Sequence, residues 1–117
     1  MSADTETPVA ALKTLVQNFV DERDWRQFHA PKNLSMSLAI EAAELMEHFQ
    51  WLTIEESGNV VHDSKKLAAI GEELADVLAY ALALANVLQL DLTTILRDKM
   101  VKNAKKYPAG EFRGRHS

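Results

Sequence analysis

The sequence predicts an all-α fold of the four-helix-bundle type that assembles as a homo-oligomer. Apolar residues recur at intervals of three and four over four long segments, which is the spacing of one helix face. The 117 residues include only 4 Gly and 3 Pro, so there is little turn chemistry to support many short elements. The third segment is apolar on more than one side, and in a chain this short a second subunit is the expected cover.

The composition of the chain limits the number of domains and the classes of partner that it can have. The chain is 47% hydrophobic and 26% charged, which is typical of one globular domain over 1–117, and we expect flexible ends at 1–6 and 111–117. A formal net charge of −4 argues against a nucleic-acid polymer as partner. The sequence has no cysteine, no signal peptide and no apolar run of membrane-spanning length. It therefore predicts a cytoplasmic protein with no membrane partner.

The first helix is expected to begin with Thr7 as N-cap and Pro8 at the first helical position, and to reach about Glu22. Its apolar stripe requires no role beyond packing. Segment 24–33 then breaks the helical period with two aromatic residues, a histidine and a proline, which is typical of a recognition loop. The alternative is that its aromatic side chains simply fill the core.

The second helix is expected from about Leu34 to Trp51. On a helical wheel Glu41 falls within the apolar stripe, Glu44 lies beside it and Glu47 turns away to the surface. An isolated carboxylate within a core stripe is costly or takes up a proton, so a cationic partner is implied. The connection 52–63 that follows is either a lid or an ordinary exposed loop.

The third helix is expected to be capped by Asp63 or Ser64 and to extend to about Leu88. On a face different from its main apolar face it carries two further carboxylates and a tyrosine at helical spacing. These residues share a second face, which turns apolar towards the end of the helix.

The fourth helix is expected from its cap at Asp91 to about Lys106, before Pro108. Lys99 and Asn103 fall on its otherwise apolar stripe. Either they point inward as a cation and an amide, or the lysine reaches out to solvent.

The carboxylates form two pairs, Glu41 with Glu44 and Glu73 with Asp76, and each pair projects together from its helix. Four carboxylates that converged in one bundle would repel each other unless a divalent cation were bound. They predict an oxygen-lined Mg²⁺ or Mn²⁺ site. Iron is disfavoured because neither pair has the Glu-x-x-His spacing of di-iron bundles. Such a metal keeps positions open for phosphates, and the lysine, amide and aromatic side chains nearby suit a nucleotide.

The motifs Glu-x-x-Glu and Glu-x-x-Asp resemble the metal signature of the MazG-like, all-α nucleoside triphosphate pyrophosphohydrolases. The flanking sequence is similar to the dCTP pyrophosphatase branch from roughly Leu12 to Pro108. The stretches that carry this similarity are 22–29, 31–34, 49–51, 72–80 and 99–108. One departure is Val16, which stands where vertebrate members have a nucleotide-contacting histidine, so the base preference is not simply inherited.

The resemblance implies hydrolysis of a (deoxy)nucleoside triphosphate, dCTP or a modified cytosine dNTP, to the monophosphate and pyrophosphate, in nucleotide-pool housecleaning. Mg²⁺, with Mn²⁺ as substitute, would be bound by Glu41, Glu44, Glu73 and Asp76, and these four with Lys99 form the expected catalytic set. The expected substrate-binding residues are Trp25, Arg26, Gln27, Phe28, His29, Trp51, Tyr80, Lys99, Asn103 and Tyr107. Relatives with dimeric or tetrameric bundles imply a homodimer or homotetramer.

Two alternatives stay open at the level of sequence. One is a related activity on phosphoribosyl-ATP or dUTP. The other is a non-catalytic metal-binding helical assembly module, whose carboxylates could also pair with lysines such as Lys65, Lys66, Lys102, Lys105 and Lys106. The position of Glu41 on the apolar stripe argues against simple surface pairing.

Overall fold

Helices account for most of the computed structural model, which describes residues 3–115. Within that range there is no strand, so the predicted all-α fold class is confirmed. Within the described residues there are four long helices and two short ones, and turns of 3₁₀ helix lie at Arg26–Phe28 and Asn59–His62. The α-helices are α1 (Val9–Glu22), α2 (Pro31–Glu47), α3 (Ile54–Gly58), α4 (Ser64–Leu88), α5 (Leu92–Lys106) and α6 (Ala109–Phe112).

The predicted bounds of α1, α4 and α5 are confirmed to within a residue or two, but those of α2 are wrong at both ends. Pro31 opens α2, where the missing N–H of proline costs no hydrogen bond. After Glu47 the backbone tightens into turns, with the amide of His48 donating to the carbonyl of Leu45 at 3.2 Å. Trp51 therefore lies beyond the helix.

Side chains cap three of these helices, α3, α4 and α5, at their first turns. Asp63 accepts a hydrogen bond from the Lys66 amide at 3.1 Å, as predicted for α4. Asp91 accepts from the Thr94 amide at 3.1 Å and caps α5. The expected cap of α1 is wrong, since Pro8 occupies that position and no side chain caps the helix.

The connection 52–63 is mostly helical rather than irregular. Thr53 and Glu56 form a reciprocal capping box that starts α3, with N···O distances of 2.9 and 3.1 Å. Val60 in the following 3₁₀ turn is buried and anchors the segment against α4.

Helix α4 is the centre of the protomer, packing most extensively against α2 and next against α1. Two hydrogen bonds fasten α1 to the far end of α4. The ammonium of Lys13 donates to the carbonyl of Leu90 at 2.8 Å, and the side-chain amide of Asn86 donates to the carbonyl of Lys13 at 3.0 Å. The chain then reverses through Gln89, which has a φ of 54°.

The buried core of the protomer is small. Among the described residues its members are Val20, Leu34, Val60, Ile70, Leu82, Ala83 and Ala85. None of the residues of α5 is buried, and α5 packs little against the other helices. Leu74 and Leu78 of α4 are 55% and 49% exposed, so the predicted main apolar face is only partly covered within one chain.

The size of the protomer agrees with this incomplete burial. It exposes 9350 Å², whereas a folded monomer of 13.1 kDa exposes about 6,400 Å². Its radius of gyration is 17.2 Å, against roughly 13 Å for a compact domain of this length. The number of subunits stays a prediction.

The predicted flexible ends fall partly outside the described residues, at 1–2 and 116–117. Within the described part, Glu111 and Phe112 belong to α6. Over residues 3–115, no helix combines the length and the apolar character needed to cross a membrane.

Candidate active site

Three carboxylates meet where α2 packs against α4. Glu41 of α2 and Glu73 and Asp76 of α4 each offer an oxygen, and these oxygens lie within 4.8 Å of one another. Glu44 is not part of this group of three, but it lies close enough to Glu41 and Glu73 to affect the pKa of both. The two acidic pairs found in the sequence therefore face each other.

We call Glu41, Glu44, Glu73 and Asp76 the carboxylate cluster. Without a cation, its environment disfavours negative charge on Glu41 and Glu73. Burial, followed by the hydrogen bond and charge of Glu44, raises the pKa of Glu41 from 4.5 to about 7. Burial and then Glu44 also raise the pKa of Glu73, which nearby His48 partly offsets.

The residues of the cluster fit a hard divalent cation. Oxygen Oε2 of Glu41 and Oε2 of Glu73 are buried, and neither has a hydrogen-bond partner within the described structure. Buried polar atoms are normally paired, so two orphaned carboxylate oxygens in one cluster indicate a site for a cation. All four side chains offer oxygen, the ligand that Mg²⁺ and Mn²⁺ prefer. In residues 3–115 no salt bridge joins these carboxylates to a lysine, so the lysine-pairing alternative has no support in the protomer.

A cavity of about 470 Å³ adjoins the cluster, and Asp76 belongs to both. Trp25 meets Phe19 edge to face, with ring centroids 5.6 Å apart. We call this space the aromatic cavity; its wall consists of Leu15, Val16, Phe19, Val20, Trp25, His29, Asp76, Ala79, Tyr80 and Ala83. Its size and its aromatic lining suit a flat heterocycle.

Three of the predicted substrate-binding residues, Trp25, His29 and Tyr80, lie on this wall. Of the α1 wall the sequence pointed only to Val16, which stands where vertebrate members of the resembled branch have a nucleotide-contacting histidine. The rest of that wall was missed, because the apolar stripe of α1 was explained by packing. A signal was present in Phe19, an aromatic residue close in sequence to the recognition loop, which is 47% exposed and faces Trp25.

The other predicted residues of the recognition loop point elsewhere. The guanidinium of Arg26 donates to Oδ1 of Asp21 from Nε at 3.2 Å and from Nη2 at 2.9 Å. The amide of Gln27 donates to the carbonyl of Asp24 at 2.9 Å, and Phe28 is 61% exposed. Arg26 lines a second cavity, described below, whereas Gln27 and Phe28 line neither.

The remaining four predicted residues line neither cavity of the protomer. Trp51 is 86% exposed, and Lys99 is exposed on α5. Asn103 donates to Sδ of Met100 at 3.7 Å, and Tyr107 packs edge to face on Phe112 at 5.2 Å. Their role as substrate contacts stays a prediction.

Comparison with known proteins identifies the family to which this architecture belongs. A family model described as the MazG-like family matches residues 36–117. The chain belongs to the MazG-like family. This MazG-like chain is 40% identical to dCTP pyrophosphatase 1 of Bos taurus, over 97% of its own length and 67% of that protein. It is 42% identical to dCTP pyrophosphatase 1 of Homo sapiens, over 92% and 64% of the two lengths.

A solved structure supports the MazG-like fold as well as the family. A pyrophosphatase from Archaeoglobus fulgidus superposes with a TM-score of 0.79 at 40% identity, covering 86% of this chain and 92% of that one. The MazG-like chain spans about two thirds of the length of the curated relatives it matches. The predicted family resemblance is thus confirmed.

Proposed function

We propose that this MazG-like protein hydrolyses dCTP or a modified cytosine deoxynucleoside triphosphate to the monophosphate and pyrophosphate, with Mg²⁺ as cofactor, in the cytoplasm. The enzyme class, nucleoside triphosphate pyrophosphohydrolase, follows from the family and from relatives named as pyrophosphatases. One observation carries the proposal: the carboxylate cluster, with its two orphaned oxygens, opens directly onto the aromatic cavity through Asp76.

Glu41, Glu44, Glu73 and Asp76 would hold the metal, with Mn²⁺ as a substitute. When bound, a divalent cation neutralises charge on phosphate oxygens and makes water a stronger nucleophile. The raised pKa values of Glu41 and Glu73 support this assignment, because a bound cation restores the ionised form that the site otherwise disfavours.

The protein side chains orient the substrate and manage the proton. The aromatic cavity would stack the base near Trp25 and Tyr80 and exclude water from it. A base held there would bring the α-phosphorus towards Asp76, which belongs to both the cavity and the cluster. One carboxylate of the cluster orients or deprotonates the attacking water, and the bond to the pyrophosphate leaving group breaks.

We further propose that a partner subunit completes the site in a homodimer or homotetramer. Lys99 and Asn103 would hold phosphates, and Trp51 and Tyr107 would close over the nucleotide. In one protomer these side chains line neither cavity, and much of the apolar surface is uncovered. A second copy of the chain would both supply these side chains to the site and cover the apolar surface.

The test is Mg²⁺-dependent release of pyrophosphate from dCTP. Glu41→Gln removes a charged ligand, so we expect the rate to fall at least about 100-fold, since even indirect metal contacts are worth up to that factor. Glu47→Gln is the matched control, because it makes the same change on the exposed side of α2. Circular dichroism should show unchanged helix content in both variants.

Other outcomes identify the alternatives. Release of orthophosphate alone would contradict the proposed reaction. Turnover of phosphoribosyl-ATP or dUTP in preference to dCTP, in a panel of triphosphates, would identify the related enzymes. Mg²⁺ binding by calorimetry, with no turnover and no coupling to a non-hydrolysable dCTP analogue, would identify a metal-binding assembly module.

A further inference from the structure

A second cavity lies against the aromatic cavity. Its volume is about 300 Å³, and it shares Val20, His29 and Ala83 with the aromatic cavity. The rest of its lining is largely polar and includes the side chains of Gln17, Arg26, Asn86 and Gln89. We call it the polar cavity.

Helix α4 fixes the order of the cluster and the two cavities. Asp76 belongs to the cluster, Tyr80 to the aromatic cavity, Ala83 to both cavities and Asn86 to the polar cavity. At the rise of an α-helix, Asp76 and Ala83 are separated by about 10 Å along the axis. A nucleotide with its phosphates at the cluster therefore extends through the aromatic cavity, with the far edge of its base towards the polar cavity.

Hydrogen bonds fix the orientation of two amides in the polar cavity. Nε2 of Gln17 donates to Oδ1 of Asp21 at 2.8 Å, and Nδ2 of Asn86 donates to the carbonyl of Lys13 at 3.0 Å. Both partners can only accept, so the nitrogen of each amide must face its partner. Each side chain is left with its carbonyl oxygen free, and no hydrogen bond of the described residues uses either oxygen.

The charge in the polar cavity is already balanced. Arg26 donates two hydrogen bonds to one oxygen of Asp21, and the two charges offset each other. The cavity is therefore poorly suited to an anion such as phosphate. Two free carbonyl oxygens favour a neutral ligand that donates hydrogen bonds.

We propose that Gln17 and Asn86 determine the choice of base by accepting hydrogen bonds from an exocyclic amino group at its far edge. Cytosine carries such a group where uracil carries a carbonyl oxygen. A carbonyl there would leave both acceptors unpaired, which penalises the wrong base. This inference rests on the proposed function and assigns its specificity to residues outside the carboxylate cluster.

The test compares kcat/KM for dCTP and dUTP, which differ at the relevant edge of the base. We expect the native protein to prefer dCTP. Gln17→Leu and Asn86→Leu each remove an acceptor, so each should reduce the ratio of dCTP to dUTP about tenfold, with most of the loss on dCTP. Asn18→Leu is the matched control, because Asn18 is an exposed neighbour on α1 that lines neither cavity, and it should keep the ratio.

The outcomes separate this inference from the proposed function. Asn86 also ties α1 to α4, so its variant is checked by circular dichroism, and the Gln17 variant decides if the Asn86 variant unfolds. A native preference for dUTP, or an unchanged ratio in the folded Gln17 variant, overturns the inference while pyrophosphate release still supports the enzyme. Failure to release pyrophosphate from any triphosphate overturns the proposed function and this inference with it.

Discussion

At the scale of single residues, the raised pKa of Glu41 should make the stability of the metal-free protein depend on pH. Its pKa in the folded state is about 7, compared with 4.5 for an unperturbed glutamic acid, so folding favours the protonated form. The unfolded chain releases this proton near its ordinary pKa, whereas the folded chain keeps it until about 7. Ionisation of Glu41 therefore lowers the stability of the folded state. The raised pKa of Glu73 acts in the same direction.

We expect the stability of the metal-free protein to fall as the pH rises from 4.5 to about 7 and to level off above that. Mg²⁺ should raise the melting temperature most at the upper end of this range, because the carboxylates are then ionised and free to bind it. Thermal melts followed by circular dichroism, with and without chelator, measure both effects.

Glu41→Gln should flatten this pH dependence, because the amide does not titrate. Glu47→Gln should preserve it. If the stability of the Glu41 variant fell with pH as steeply as that of the native protein, another group would be the cause of the pH dependence.

At the scale of elements, the first turn of α4 depends on Asp63. Its carboxylate caps the Lys66 amide, and no second side chain caps that end. We expect Asp63→Ala to lower the free energy of unfolding by about 1 kcal/mol. Urea titration measures the loss. Asp98→Ala, at an exposed position inside α5, should cause no comparable loss, and equal effects of the two changes would argue against a capping role.

The helices were predictable from the sequence wherever apolar spacing and a cap coincide. Asp63 and Asp91 mark the starts of α4 and α5 correctly, because a carboxylate before an apolar run has few other local roles. The end of α2 was not predictable in this way. Phe49 and Leu52 continue the apolar period although the backbone has already left the helix, so periodicity alone extends it too far.

The site was predictable in its acidic half and less so in the rest. Glu41 stood out because a charge within an apolar stripe needs a partner, and that argument requires only local sequence. The α1 wall and the polar cavity depend on how α1 lies along α4, which the hydrogen bonds of Lys13 and Asn86 fix. Contacts between residues so distant in sequence leave no periodic signal.

At the scale of the whole molecule, the uncovered surface predicts association. The exposed 9350 Å² exceed the expectation for a monomer by about 3,000 Å², which is more than the roughly 800 Å² that each partner buries in a standard interface. We expect light scattering after gel filtration to give a mass that is a multiple of 13.1 kDa. Leu74→Lys or Leu78→Lys should lower that mass, because a charge cannot be buried in an apolar contact without a partner.

Asn59→Lys adds the same charge at an exposed polar position and serves as the control for association. A native mass of one chain, or an unchanged mass in both leucine variants, would contradict an interface on this face of α4.

Helix α4 carries Glu73 and Asp76 within the same two turns as the uncovered Leu74 and Leu78. A helix shifts and rotates as a unit, so whatever holds the leucines also holds the carboxylates in register with Glu41. In the predicted oligomer, separation of the subunits would therefore disturb the chemistry even in a chain that stays folded. Specific activity should consequently decline when the enzyme is diluted below the concentration at which its subunits dissociate, and should recover on reconcentration.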